Sequence, residues 1–144
     1  MFEKILVATD GSEHGMRAAK VALELGERSS GTVSVIYVAD TNQTSYLPDD
    51  VLLFSIRELL LKEGKEAVKQ VEMMAKDAGV KFESIIVEGN PGSEVVDFAE
   101  KAGMNIIVIG AIGRTGLNKF LLGSVAEKVV RHSKIPVLVV PLID

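Results

Sequence analysis

Short apolar runs rich in β-branched residues alternate along this chain with longer stretches whose apolar positions recur every three or four residues. Five runs predict strands: Ile5 to Ala8, Val33 to Val38, Phe82 to Val87, Ile106 to Gly110 and Pro136 to Val140. Runs this short and this uniformly apolar suit a parallel sheet buried on both faces. Ser12 is a good N-cap for a first helix carrying Met16, Ala19, Val21, Ala22, Leu23 and Leu25 and ending near Gly26 to Gly31. A second spans Val51 to Ala78, with Phe54, Ile56, Leu59, Leu60, Val68, Val71 and Met74 as packing residues and Gly79 as its stop. Gly64 interrupts that pattern and marks a bend or a break into two pieces. Glu88-Gly89-Asn90-Pro91-Gly92 reads as a turn, followed by a helix over Ser93 to Ala102. Gly123-Ser124 opens the last helix, with Val125, Ala126, Val129 and Val130 at helical spacing. Strands alternating with helices imply right-handed βαβ units. The expected fold is a single doubly wound α/β domain over residues 1–144, its five-stranded parallel sheet in the order 3-2-1-4-5 with helices on both faces.

Composition narrows the function classes. Sixteen basic and twenty acidic residues are interspersed along the chain and leave a net charge of −4, so there is no electrostatic reason to expect nucleic acid or an anionic membrane as partner. The absence of cysteine excludes disulfide scaffolds, thiol catalysis and cysteine zinc sites. The chain enters Lys4-Ile5-Leu6-Val7 at once, with no signal-peptide layout and no apolar run of membrane-spanning length. The expectation is a cytoplasmic protein.

Open α/β sheets bind ligands at the carboxyl ends of the strands, where the strand order reverses. In the order 3-2-1-4-5 the first and fourth strands flank that crevice, which brings Thr9-Asp10 to Gly110–Gly123. The latter stretch is polar and basic and carries Gly113 and Gly116 before the helix start at Gly123-Ser124. Glycines let another backbone or a ligand come close, and a helix start offers orphan N–H groups and the positive end of the dipole. Together they suit a phosphate. A long surface loop with turn glycines is the alternative. Asp10 can hold Mg²⁺, accept from a ribose hydroxyl, or serve only its Asp-Gly-Ser turn. No Walker-type G-x-x-x-x-G-K-[ST] and no G-x-G-x-x-G after a strand occurs. His14 and His132 read as helix-surface residues, Ser124 has no evident base, and Met73-Met74 reads as core filler.

Three separated pieces resemble the universal stress protein family. Lys4-Ile-Leu-Val-Ala-Thr-Asp-Gly-Ser-Glu13 is similar to its opening strand and turn, and Ile135-Pro-Val-Leu-Val-Val-Pro141 to its closing strand. Gly110-x2-Gly113-x9-Gly123-Ser124 matches, in every spacing, the G-x2-G-x9-G-[ST] loop of its ATP-binding branch. The resemblance implies that Ala8, Thr9 and Asp10 line the ribose and metal side and that Val38 touches adenine. It places Ile109, Gly110, Gly113, Arg114, Gly123, Ser124 and Val125 around ribose and phosphates. ATP or AMP would be the ligand, with Mg²⁺ or Mn²⁺ optional at Asp10. Two departures stand out: Ala8 where many ATP-binding members carry proline, and Ala111-Ile112 in place of a polar pair. The implied function is an adenine-nucleotide-binding regulatory or stress-response switch, homodimeric through its apolar last strand and acting on an unidentified protein partner. The alternative is a slow ATPase or nucleotidyl-transfer enzyme of the same fold. With no catalytic residue assigned, any hydrolysis is expected to be slow.

Overall fold

The computed structural model describes residues 1–41, 50–112 and 122–141. The elements run β1 Lys4–Ala8, α1 Glu13–Ser29, β2 Thr32–Ala39, α2 Asp50–Ala78, β3 Lys81–Glu88, α3 Pro91–Lys101, β4 Ile106–Gly110, α4 Ser124–His132 and β5 Val137–Val140. The strands form one sheet in the order β3-β2-β1-β4-β5, every neighbouring pair parallel, which is the expected α/β topology. Ile5 of β1 lies opposite Val33 of β2 on one side and Ile106 of β4 on the other. From β1 the chain therefore winds outward in both directions, and the strand order reverses between β1 and β4.

Successive side chains of a strand point to opposite faces, so each apolar strand feeds two cores. Ile5, Val7, Val33 and Val35 pack under α1 and α2 with Ala18, Ala22, Ala67 and Val71. Leu6, Ile36, Ile107 and Ile109 pack under α3 and α4 with Val95, Ala99, Ala126 and Val129. Ile5, Leu6, Val7 and Ile107 have no exposed surface at all, as strands at the centre of a covered sheet require.

Three expectations need correction. Gly64 does not break α2 into two pieces, for the helix runs from Asp50 to Ala78. A Cβ at Gly64 would lie 2.5 Å from Tyr37 Cδ1, so the glycine exists to admit the ring of a β2 tyrosine against the helix. Phe54 and Leu59 do not pack inward but are 61% and 55% exposed, and Met73 is 58% exposed rather than core filler. α3 starts at Pro91, not Ser93, because Asn90 is its N-cap: the Asn90 side-chain oxygen accepts from Ser93 N–H at 3.1 Å. α1 ends within the expected Gly26 to Gly31 window: its C-cap Ser30 adopts the left-handed conformation (φ 55°), and Gly26 sits inside the helix where a Cβ would lie 2.8 Å from Val33. Among the described residues no helix is long and apolar enough to cross a membrane.

Candidate functional site

The carboxyl end of β1 is continued by one further bond, Thr9 N–H to Ile36 O at 3.0 Å. The chain then reverses through Gly11, whose φ of 83° is in the glycine-favoured region. Two side chains lock this turn. Thr9 Oγ1 accepts from Gly11 N–H at 3.2 Å, and Asp10 Oδ1 accepts from Ser12 N–H at 2.9 Å and from the Ser12 hydroxyl. The Ser12 hydroxyl oxygen in turn accepts from Gly15 N–H at 3.2 Å, so it caps α1 while donating to Asp10. A Cβ at Gly15 would lie 2.8 Å from Thr9 Oγ1 and 3.0 Å from Asp10 Oδ1. The first turn of α1 is thereby pressed onto the Thr9–Asp10 turn, and the carboxylate of Asp10 is held at the sheet edge.

β4 ends beside it. A Cβ at Gly110 would lie 3.1 Å from the His14 carbonyl oxygen, so this glycine lets the start of α1 lie over the end of β4. Ala111 then ties three segments together: its N–H donates to Val140 O at 2.9 Å and its carbonyl accepts from Gly123 N–H at 2.7 Å. The second of these bonds fixes the start of α4 at the end of β4. Ile112 is buried, 6% exposed, which accounts for an apolar residue at this point of the loop. Gly123 is the N-cap of α4 and makes no side-chain cap bond. α1 and α3, in contrast, are capped by the side chains of Ser12 and Asn90. The opening amides of α4, at Ser124 and Val125, are therefore left without a side-chain acceptor from the N-cap.

The fold thus brings together Thr9 and Asp10 after β1, Ile109 and Gly110 at the end of β4, and Gly123, Ser124 and Val125 at the start of α4. Ala8, Val38, Ile109 and Val125 all border the apolar layer under α3 and α4, so the four share one side of the sheet. Gly113 and Arg114 lie outside the described residues. Both histidines sit on helices: His14 in the first turn of α1, and His132 exposed at the end of α4.

Two supporting residues escaped the sequence reading. Asn90 Oδ1 also accepts from Lys128 Nζ at 3.1 Å, bracing α4 against the start of α3. The Asn-Pro pair, an N-cap followed by proline at N1, was the signal for its capping role. At the carboxyl end of β3, Glu88 accepts two hydrogen bonds from the Arg57 guanidinium of α2, at 2.6 and 2.7 Å. The hydrogen bond and then the charge of Arg57 hold the Glu88 carboxyl below its ordinary pKa, and the same pair raises that of Arg57. Gly89 follows and donates to Ala39 O at 3.0 Å, so this ion pair anchors the ends of β2 and β3.

Comparison with known proteins places this geometry. Residues 1–141 match the model of the universal stress protein family. Universal stress protein MJ0531 of Methanocaldococcus jannaschii is 44% identical over 140 residues, covering 97% of this chain and 82% of that one. The solved structure of hypothetical protein MJ0577 superposes with a TM-score of 0.87 at 31% identity, covering 100% of this chain and 99% of that one. A universal stress protein in complex with cAMP superposes at 0.66 and 28% identity, covering 97% of each chain. The universal stress protein of Archaeoglobus fulgidus in complex with dAMP does so at 0.70 and 25%, covering 96% of this chain and 98% of that one. Matched from end to end in sequence and in strand order, the chain belongs to the universal stress protein family.

Proposed function

We propose that residues 1–144 act as one nucleotide-binding domain that takes ATP or AMP at the crevice between β1 and β4. One observation carries the reading: a carboxylate at Asp10 faces the same sheet edge as the α4 start, whose N-cap supplies no side-chain acceptor and whose position is fixed by the Ala111–Gly123 bond. Amides and dipole at such a start stabilise a phosphate, and a carboxylate stabilises a ribose hydroxyl or a cation. The site comprises Ala8, Thr9, Asp10, Val38, Ile109, Gly110, Gly113, Arg114, Gly123, Ser124 and Val125. Relatives solved with cAMP and dAMP support the adenine nucleotide as ligand class.

Mg²⁺ or Mn²⁺ fits the residues present only in one way. Among the described residues no group of three or more His, Cys, Asp or Glu converges, so Asp10 would be the protein's carboxylate contribution. Magnesium is commonly held by one or two carboxylates, with substrate phosphates and water completing the shell. Bound metal would offset phosphate charge. Asp10 itself accepts through Oδ1 from Ser12 N–H, which holds its carboxylate at the turn after β1.

The biological use is a regulatory switch in the cytoplasm: occupancy by nucleotide is read by a protein partner or by a second subunit. Pairing through β5, a short apolar edge strand, gives the homodimer. Turnover is slow at best, because amides that bind ground-state phosphate as well as the transition state give affinity without rate. The test is mass spectrometry of ligand released by denaturing freshly purified protein, with calorimetric titration of the stripped protein by ATP, AMP and GTP. Adenine nucleotides released and bound, with GTP far weaker, is the expected result. Stripped protein that binds none of them overturns the proposal.

A further inference from the structure

Helix α4 has only nine residues, and a helix this short takes its direction from what it touches rather than from its own backbone. Ala126 and Val129 seat it on the sheet, and the Ala111–Gly123 bond pins its first end. Those contacts lie beneath the helix and at its tip. Its approach to the start of α3 is set by a side chain on its flank. The approach matters because the opening amides of α4 move with the helix, and hydrogen bonds weaken steeply as their angle closes.

That side chain is Lys128. It stands four residues after Ser124, so the two share a face of α4 about 6 Å apart along its axis. Its ammonium crosses to the start of α3 and donates to Asn90 Oδ1 at 3.1 Å. Its stem is seated on Gly92, where a Cβ would lie 2.8 Å from Lys128 Cδ and 3.0 Å from its Cβ and Cγ. The contact at Lys128 Cβ turns away in no rotamer, so the missing side chain of Gly92 lets the two helices come this close. Gly92 is an ordinary helical residue without a positive φ, so space and not conformation accounts for a glycine there. The far end of the tie is held as well. Asn90 Oδ1 also accepts from Ser93 N–H at 3.1 Å, which occupies both of its lone pairs, and Pro91 stiffens the first turn behind it.

We propose that Lys128 is a positioning residue for nucleotide binding: seated on Gly92 and tied to Asn90, it keeps the opening amides of α4 aimed at the phosphate. The proposal rests on the α4 start being the phosphate site and adds the residue that aims it. Lys128 acts through the helix and does not itself touch the ligand. The tie is exposed, so its effect on affinity is modest, on the scale of one surface hydrogen bond to a charged group.

Calorimetric titration of nucleotide-free protein with AMP, and with adenosine as the ligand lacking phosphate, reads the effect. Lys128→Met keeps a stem on Gly92 and removes the donor. Asn90→Ser keeps a good N-cap on α3 but is too short to meet Lys128 Nζ, and it leaves the lysine charge in place. Each should lower AMP affinity by about two- to fivefold and leave adenosine affinity unchanged. The double variant should lose no more than either single one, because both remove the same tie. Lys128→Arg, which keeps a charged donor, should recover most of the AMP affinity, and thermal unfolding confirms that every variant is folded. A loss in Lys128→Met with none in Asn90→Ser overturns the proposal, since the ammonium then acts on the phosphate directly. A lowered Tm with unchanged AMP affinity in both overturns it too, leaving the tie a brace of the fold alone. A wild type that binds AMP no better than adenosine instead refutes the α4 start as the phosphate site, and the proposal falls with it.

Discussion

Asp10 is where a structural role and a functional role can be separated by chemistry. Its Oδ1 accepts from Ser12 N–H at 2.9 Å and from the Ser12 hydroxyl, and that hydroxyl caps α1 through Gly15 N–H at 3.2 Å. Asp10→Ala removes the bonds from Ser12 to the carboxylate and frees the cap to turn away. Hydrogen bonds to a charged acceptor contribute roughly 1.5–3 kcal/mol each, and solvent at this half-buried turn recovers part, so a loss of about 2–3 kcal/mol is expected. For a domain of this size that lowers Tm by about 5–10 °C. Asp10→Asn keeps a side-chain oxygen that still accepts from Ser12, and its cost should stay within about 1 kcal/mol. The amide group that replaces the second oxygen donates instead of accepting and carries no charge, so it cannot accept from a ribose hydroxyl or offset the charge of a cation. Both variants should therefore lose the Mg²⁺-dependent gain in ATP affinity, while only the alanine melts early. Calorimetric titration with and without Mg²⁺, beside thermal unfolding, distinguishes the roles. If Asp10→Asn binds ATP as the wild type does, the carboxylate has no part in the site. If it melts as early as the alanine variant, the turn is not held by the acceptor oxygen.

Gly64→Ala should destabilise by about 1–3 kcal/mol despite alanine's better helix propensity, because a Cβ would lie 2.5 Å from the buried Tyr37 ring; a raised Tm would refute that packing. The Glu88 carboxyl, followed by carbon-13 NMR, should titrate below the ordinary glutamate value of 4.5 and return to it in Arg57→Met. Because the folded-state value is the lower one, the pair's stabilisation is complete above that ordinary value and is lost as pH falls through the depressed one; added salt narrows the difference. Val139→Lys on the β5 edge should yield monomers at micromolar concentration by sedimentation, and an unchanged dimer there would place the interface elsewhere. Gly123→Ser should raise stability by a few tenths of a kcal/mol, since serine caps α4 better than glycine. The new hydroxyl competes with phosphate for the same amides, so AMP affinity should fall, and an unchanged affinity would remove the α4 start from the site.

Most of the fold was legible because it is written in local apolar runs. β1, β2 and β3 emerge one or two residues longer than their apolar cores, since Lys4, Thr32, Lys81 and Glu88 pair through their backbones whatever their side chains, while β4 keeps its expected bounds and β5 starts at Val137 rather than Pro136. The misreadings have one physical origin, which is that a residue's partner lies far along the chain. Gly64 looked like a helix breaker because Tyr37, the ring that it admits, is in another element. Phe54 and Leu59 looked like core residues because their spacing is helical, and spacing alone does not tell where the sheet beneath a helix ends.

The candidate site divides along the same line. The Thr9–Asp10 turn and the uncapped start at Gly123 were legible, because turn chemistry and capping act within a few residues. Gly110 was read as room for another backbone or a ligand, and the space that it leaves is taken by the His14 carbonyl, 3.1 Å from where a Cβ would stand. A side chain there would push α1 from β4 before meeting any ligand, moving Asp10 with it through the Ser12–Gly15 bonds. Gly123, by contrast, has φ −63° and ψ 158°, which any residue adopts. Of these two motif glycines, Gly110 is therefore bound up with the packing of α1 on β4, and Gly123 is the one that can be substituted without straining the backbone.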